Sequence, residues 1–229
     1  MPIINDAEFG KIVVRKYPSS SSIKLRRAPN GDLRVSAPLH TPDFIIRGFL
    51  KQSRKQILDF IESSKPDTEY KNGMQIGKSH SLIVIPGGNF SIISKKNIIT
   101  VSLPDNLQIN DDQVVDQLRP VIIKALRKEA RSYLPRRLEF MANEHGFTYR
   151  DISFSHSSGK WGSCRNDGRI SLNIALMKLP FELIDYVIAH ELSHTVELNH
   201  SPKFWETVSI VDPDYKNHRK LLKNESPNI

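Results

Sequence analysis

The sequence predicts an α+β protein, and three observations carry that prediction. Up to about Leu103 the apolar residues come in short β-branched runs separated by turn signals. From Asp111 onward they recur mainly at helical spacing. Within that helical half, Thr148 to Ser155 alternates like a strand, and Asn166-Asp167-Gly168 turns into Arg169-Ile170-Ser171-Leu172, so a small sheet is expected there. The expected organisation is a β-rich portion with one helix over residues 1–110 and a helical core with a small sheet over residues 111–229.

In order along the chain, Ile12-Val13-Val14 and Ile23-Lys24-Leu25-Arg26 read as strands. Asn30-Gly31-Asp32 reads as a hairpin turn into Leu33-Arg34-Val35-Ser36. Thr41-Pro42-Asp43 starts a helix, with threonine as cap and proline first. Its apolar stripe, from Phe44 and Ile45 through Phe49, Leu50 and Ile57 to Ile61, runs to about Glu62. Asn72-Gly73 and Gly87-Gly88 mark turns between later strands, which include Ser81 to Ile85 and Ile98 to Val101. Val114, Leu118, Ile122 and Leu126 predict a helix from Asp111 to about Tyr133. Glu129 falls on that stripe and marks a place where the buried face narrows or ends. Pro120 predicts a kink or late start, and Pro135 begins or bends a further helix that Gly146 ends. Leu183, Ile184, Val187, Ile188 and Leu192 predict a helix with Pro180 in its first turn, uninterrupted by proline or glycine up to His200. Ser201-Pro202 and Asp212-Pro213 start two more.

The chain has 229 residues, 38% of them hydrophobic, enough for a sizeable core. A single cysteine, Cys164, rules out an internal disulfide framework and suits a reducing compartment. The start, Met1-Pro2-Ile3-Ile4-Asn5-Asp6, lacks a signal-peptide pattern, and no apolar run reaches the length of a membrane span. A cytoplasmic, soluble protein without membrane partners is expected. The net charge of +8 allows an anionic partner but does not require one. The densest basic run is Lys124, Arg127, Lys128, Arg131, Arg136 and Arg137. It reads as a solvated helix face or, through Arg127, Lys128 and Arg131, as a DNA contact. Aromatic residues are not interleaved there as a single-strand platform would need.

The most informative stretch is His190-Glu191-Leu192-Ser193-His194, with His200 six residues on. Histidines four apart on a helix project from successive turns on one face, so both can reach one ion. Zn²⁺ is the usual ion for such a pair, and the neighbouring glutamate is placed as general base for hydrolysis. The bland reading is two helix histidines hydrogen-bonded at a core edge. Catalytic zinc takes three protein ligands, so a third is needed. Glu197 shares the face but lies about 10 Å along the axis from His190 on a straight helix. His200 follows the expected helix end, where Asn199 suits a left-handed closing residue, and is the better candidate. The spacing equals that of metzincins, but Glu197 stands where they have glycine, and no methionine follows for their Met-turn. The expected centre is one Zn²⁺ held by His190, His194 and His200, with Glu191 catalytic. Imidazoles also accept other divalent ions. Tyr215 and Tyr186 are candidates for a transition-state or substrate contact, or for core packing. Cys164 reads as a small residue in a turn rather than a ligand, Trp161 as a packing anchor, and His80, His145 and His156 as surface or loop histidines.

Lys160-Trp161-Gly162-Ser163-Cys164, Gly168 to Asn173, Tyr186 into the histidine helix, Asn199-His200-Ser201, Phe204-Trp205 and Pro213-Asp214-Tyr215-Lys216 together resemble the YgjP-like metallopeptidases, a zincin family related to SprT-type proteases. Arg34 to Pro38 and Gly77-Lys78-Ser79-His80 fit as well, so the resemblance covers nearly the whole chain. It implies a zincin-like core, zinc on His190, His194 and His200, a catalytic Glu191 and a peptide or protein substrate. One departure is Lys160, where the family usually has arginine, which puts any bidentate contact there in doubt. Two rival readings are a zinc hydrolase of a small amide and a DNA-associated protein with a structural, four-ligand metal.

Overall fold

The computed structural model describes residues 3–6, 9–27, 33–63 and 69–229. The chain divides into two compact units, Met1–Thr68 and Glu69–Ile229. The first holds strands β1 (Ile3–Asp6), β2 (Gly10–Tyr17), β3 (Lys24–Arg27) and β4 (Leu33–Pro38), in sheet order β1-β2-β4-β3. β2 and β4 are parallel; the other pairs are antiparallel. Successive strand residues face opposite ways. Ile12, Val14, Leu33, Val35 and Ala37 therefore share one face, where they are buried with Ile46, Leu50 and Ile57 of helices α1 (Asp43–Gln52) and α2 (Arg54–Ser63). Lys16 pairs with Asp43 of α1 at 2.8 Å on that side.

Two expectations are corrected here. The single helix is broken at Ser53, which closes α1 with φ −91° and ψ 15° while its N–H still donates to the Phe49 carbonyl at 2.9 Å. The cap position falls on Pro42 rather than Thr41, because Pro42 is extended, and no side-chain cap bond forms. The expected turn at Asn30-Gly31-Asp32 lies outside the described residues.

The second unit begins with β5 (Ser81–Pro86), β6 (Ser91–Lys95) and β7 (Ile98–Leu103), in order β5-β7-β6. β5 and β7 are parallel, and β6 and β7 form a hairpin. Lys96 and Asn97 turn it with φ of 46° and 65°, the positive angles a two-residue hairpin turn needs. Leu82, Ile99, Val101 and Leu103 share one core with the following helices. This sheet therefore packs as part of the second unit, its buried residues continuous with those of the helices.

Helix α3 (Asp112–His145) follows as one continuous element, with Pro120 and Pro135 inside it and Gly146 closing it at φ 72°. The expected second helix at Pro135 does not exist. Each proline removes one backbone hydrogen bond. The buried stripe nevertheless runs on through Ala130, Leu134, Leu138 and Met141, and tertiary packing rather than local propensity sustains the helix. Then come β8 (Asp151–Ser155), β9 (Gly162–Cys164) and β10 (Arg169–Asn173), in order β8-β10-β9. β10 is parallel to β8 and antiparallel to β9, so β9 is an edge strand. A 3-10 turn (Ile174–Lys178) leads to α4 (Phe181–Ser193), α5 (Pro202–Val211) and α6 (Tyr215–Leu222). Among the described residues no helix is long and apolar enough to cross a membrane.

α3 holds α4 in place. Arg137 donates to both carboxylate oxygens of Asp185 at 2.7 and 2.8 Å, and Tyr133 packs on Phe181 with centroids 5.4 Å apart. Glu129 is buried, not the end of the stripe. Its carboxylate accepts the backbone N–H of Lys78 at 2.5 Å and those of Ser79 and His80 at 3.0 Å. It also accepts the His80 ring nitrogen at 2.5 Å, so His80 is a buried histidine rather than a surface one. Lys78 in turn donates its ammonium to the carbonyl of Leu179 and lies over the Phe181 ring, at the start of α4. Gly77 is required here, because a Cβ would strike the Glu129 carboxylate.

Burial pushes the Glu129 pKa up, but the His80 ring and the backbone donors outweigh it and hold the carboxyl below its ordinary value. A depressed carboxylate contributes stability above its unfolded pKa and loses it as pH falls through the folded value. Glu129→Gln should therefore cost roughly 2 kcal/mol at neutral pH, the scale of a hydrogen bond to a charged group. Urea unfolding of both proteins should show the difference shrinking at acid pH. A difference that grows on acidification would contradict this role.

Candidate metal centre

Helix α4 is apolar on most of its surface, with Leu183, Ile184, Val187, Ile188, Ala189 and Leu192 buried. A helix buried this fully has little freedom to shift. It sets His190 and His194 on successive turns of one face. The helix ends at Ser193, earlier than expected, with His194 as its cap residue. The chain then turns through Thr195, Val196 and Glu197 by short backbone bonds to Leu192 and Ser193. Asn199 is not left-handed, so the expected closing device is absent. The Ser193 hydroxyl donates to the Ala189 carbonyl at 2.8 Å inside the last turn, a competing bond that helps explain the early end.

The turn brings His200 back over the helix. Its Nε2 lies 3.1 Å from His190 Nε2. One nitrogen from each of His190, His194 and His200 lies within 4.8 Å of the others, and no further histidine, cysteine or carboxylate of the described residues joins this group. Imidazoles bound tetrahedrally to zinc at 2.0–2.1 Å would have nitrogens about 3.3 Å apart, so the donor set fits one ion. Glu197 contributes its carbonyl, 3.1 Å from His194 Nδ1. That bond puts the proton on Nδ1 and leaves Nε2 free as a donor.

Phe204, fully buried on α5, underlies all three rings, with centroids 4.9, 4.4 and 4.8 Å from those of His190, His194 and His200. The Ser201 side chain accepts the Phe204 N–H and fixes the start of α5. Trp205 stacks on His200 at 5.6 Å and on Tyr215 at 5.5 Å. Burial pushes the His190 pKa down to about 3, aided by the nearby charges of His194, His200 and Arg219. Burial also lowers that of His194. Neutral imidazoles with free lone pairs are the form that binds metal.

Glu191 is buried beside this group, and its Oε2 has no hydrogen-bond partner. Burial raises its pKa to about 8, opposed by Lys160. β9 runs directly over it: a Cβ on Gly162 would lie 2.6 Å from Oε1. The approach to β9 is fixed by the buried Asn173, which donates to the carbonyls of Ser157 and Lys160 at 2.7 and 2.8 Å. Cys164 donates to the Arg165 carbonyl rather than joining the histidines. Burial, with Glu191 and Asp167 nearby, pushes its thiol up to about 11.

Tyr186 is buried one turn before His190, with ring centroids 6.1 Å apart, and burial raises its phenol to about 12. Tyr215 is half-buried on Trp205. Arg127, Lys128 and Arg131 lie on α3, where Lys128 donates to the Asn97 side-chain oxygen at 3.4 Å. Arg137 of the same basic run is committed to Asp185. Sequence reasoning missed the roles of Phe204 and Gly162. Gly162, a glycine inside a strand, was the available sign of a close backbone approach.

A family model described as the YgjP-like metallopeptidase domain matches residues 21–225. The chain belongs to this family. As a YgjP-like protein it is a metallopeptidase, and the family implies a metal cofactor. A search of curated proteins gives no match. Among solved structures, the crystal structure of the metallopeptidase zymogen of Pyrococcus abyssi abylysin is similar, with 23% identity and a TM-score of 0.36. The match covers 39% of this YgjP-like chain and 92% of that one.

Three variants test the site. Gly162→Ala should displace the Glu191 carboxylate and lower peptide turnover by about 100-fold, the scale of an ångström-sized misplacement, with metal content unchanged. His200→Ala should lose metal to a chelator far more readily than Glu197→Ala, since Glu197 acts through its backbone. Equal retention by the two would remove His200 from the ligand set.

Proposed function

We propose that this metallopeptidase is zinc-dependent, with the ion on His190, His194 and His200 and Glu191 as general base. The observation that carries the reading is the convergence of three imidazoles beside a buried carboxylate that has one oxygen without a hydrogen-bond partner. Zn²⁺, when bound, supplies Lewis acidity that polarises the scissile carbonyl and makes an attacking water more acidic. A cation held on the three rings would favour the ionised form of the buried Glu191, whose Oε2 would then take the proton of the attacking water and pass it to the leaving amine. Phe204 and the apolar faces of α4 and α5 exclude bulk water beneath the rings. His194 keeps its donor tautomer through the Glu197 carbonyl. Three protein ligands leave a coordination position open, as catalysis needs and a structural site does not.

Substrate class follows from β9. Among the described residues its outer edge has no strand partner in the sheet, and its first residue packs on Glu191. An extended peptide can add there as a further strand, held by main-chain hydrogen bonds. This favours a peptide or unfolded protein over a small amide.

Glu191→Gln should keep metal and fold but lose turnover of an unfolded protein substrate, by a factor of at least about 100, the range general-base catalysis supplies. Metal analysis, circular dichroism and cleavage assays on both proteins check this. Undiminished cleavage would remove Glu191 from the mechanism. A preference for small amides over peptides of several residues would sink the edge-strand reading.

A further inference from the structure

We propose that the helix-free face of the sheet in the first unit binds the phosphate backbone of nucleic acid. Within that unit α1 and α2 cover the face carrying Ile12, Val14, Leu33, Val35 and Ala37. Alternation places Val13, Arg15 and Tyr17 of β2, Arg34 and Ser36 of β4, and Lys24 and Arg26 of β3 on the opposite face. Strand register brings the cations together. Arg26 lies directly opposite Arg34, and Ser36 lies between Arg15 and Lys24. Neighbouring strands are about 4.8 Å apart, so these heads form a compact cationic field.

Like charges directly opposite each other destabilise a sheet. Among the described residues no carboxylate pairs with Arg15, Lys24, Arg26 or Arg34, and this face carries no acidic residue. The Nε atoms of Arg15 and Arg34 are buried without a hydrogen-bond partner. Unsatisfied buried donors on adjacent arginines call for an anion supplied from outside. Guanidinium forks match phosphate oxygens bidentately and suit a polyphosphate backbone better than scattered carboxylates. The exposed Tyr17 ring, two residues from Arg15 on the same face, offers a surface on which a base can stack. The arrangement differs from the basic run on α3, where Arg137 is already paired.

The test uses the full chain and a labelled oligonucleotide offered as single-stranded DNA, duplex DNA and RNA, with anisotropy read across a salt series. Affinity should fall steeply with salt for at least one form, and the preferred form identifies the source of the phosphates. The double variant Arg15→Gln/Arg34→Gln should bind at least about tenfold more weakly, with a log–log salt slope shallower by about 1.4 to 1.8, two phosphate contacts fewer. Its peptide cleavage and metal content should match the parent, which separates this proposal from the zinc reading. Its thermal midpoint should equal or exceed the parent's, because like charges have been removed. Arg34→Lys should retain part of the affinity. The α3 variant Arg127→Gln/Lys128→Gln/Arg131→Gln should keep the parent slope. The proposal is overturned if the parent binds no oligonucleotide at low salt, or if the double variant keeps the parent slope. It is equally overturned if the α3 variant is the one that flattens the slope, or if polyglutamate competes as well as nucleic acid.

Discussion

Phe204 touches the rings of His190, His194 and His200 at once, and the arrangement of the centre follows from that contact. An apolar floor beneath three imidazoles withholds water from their inner edges. Protonation of the two helix rings would be costly there, so burial holds His190 and His194 toward the neutral form that presents a lone pair. The same contact determines where the chain after α4 must go. It has to turn sharply enough for α5 to start with Phe204 pointing inward, and the Ser201 cap fixes that start. Trp205, the next residue, then meets His200 from outside and carries Tyr215 with it.

Behind this floor the rigidity comes from α3. Two residues four apart, Tyr133 and Arg137, meet two residues four apart on α4, Phe181 and Asp185. The pairing locks one helix against the other in both rotation and translation. Glu129 extends the lock to the loop at Gly77, and Lys78 extends it to the carbonyl of Leu179, just before α4 begins. The polar groups in this chain of contacts are mutually satisfied, so the buried charge specifies one arrangement without leaving a group unpaired.

Much of this was legible in the sequence. The His-Glu-x-x-His spacing, the helical stripe around it and the place of His200 after the helix were visible as pattern, and the structure brings those three histidines together. The α+β class and most strands were visible too. Features decided by distant packing were not. Pro120 and Pro135 argue locally for breaks, yet a buried stripe along the whole of α3 overrides them. Glu129 and His80 look like surface residues until 49 residues of chain bring them together. β1 and β6 are short strands whose pairing gives little local signal. Ser53 shows the opposite error, a stripe that reads as continuous although the backbone interrupts it.

The three candidate ligands are not mounted alike. His190 and His194 stand on a helix that the core immobilises, whereas His200 is exposed on the turn beyond it. A short loop of this kind costs little entropy to close and little to open. If these rings hold the ion as proposed, a core-mounted pair would supply two of the donors, and the third would come from a surface turn where His200 rests on Trp205, so opening the centre would disturb only the one ring at the surface.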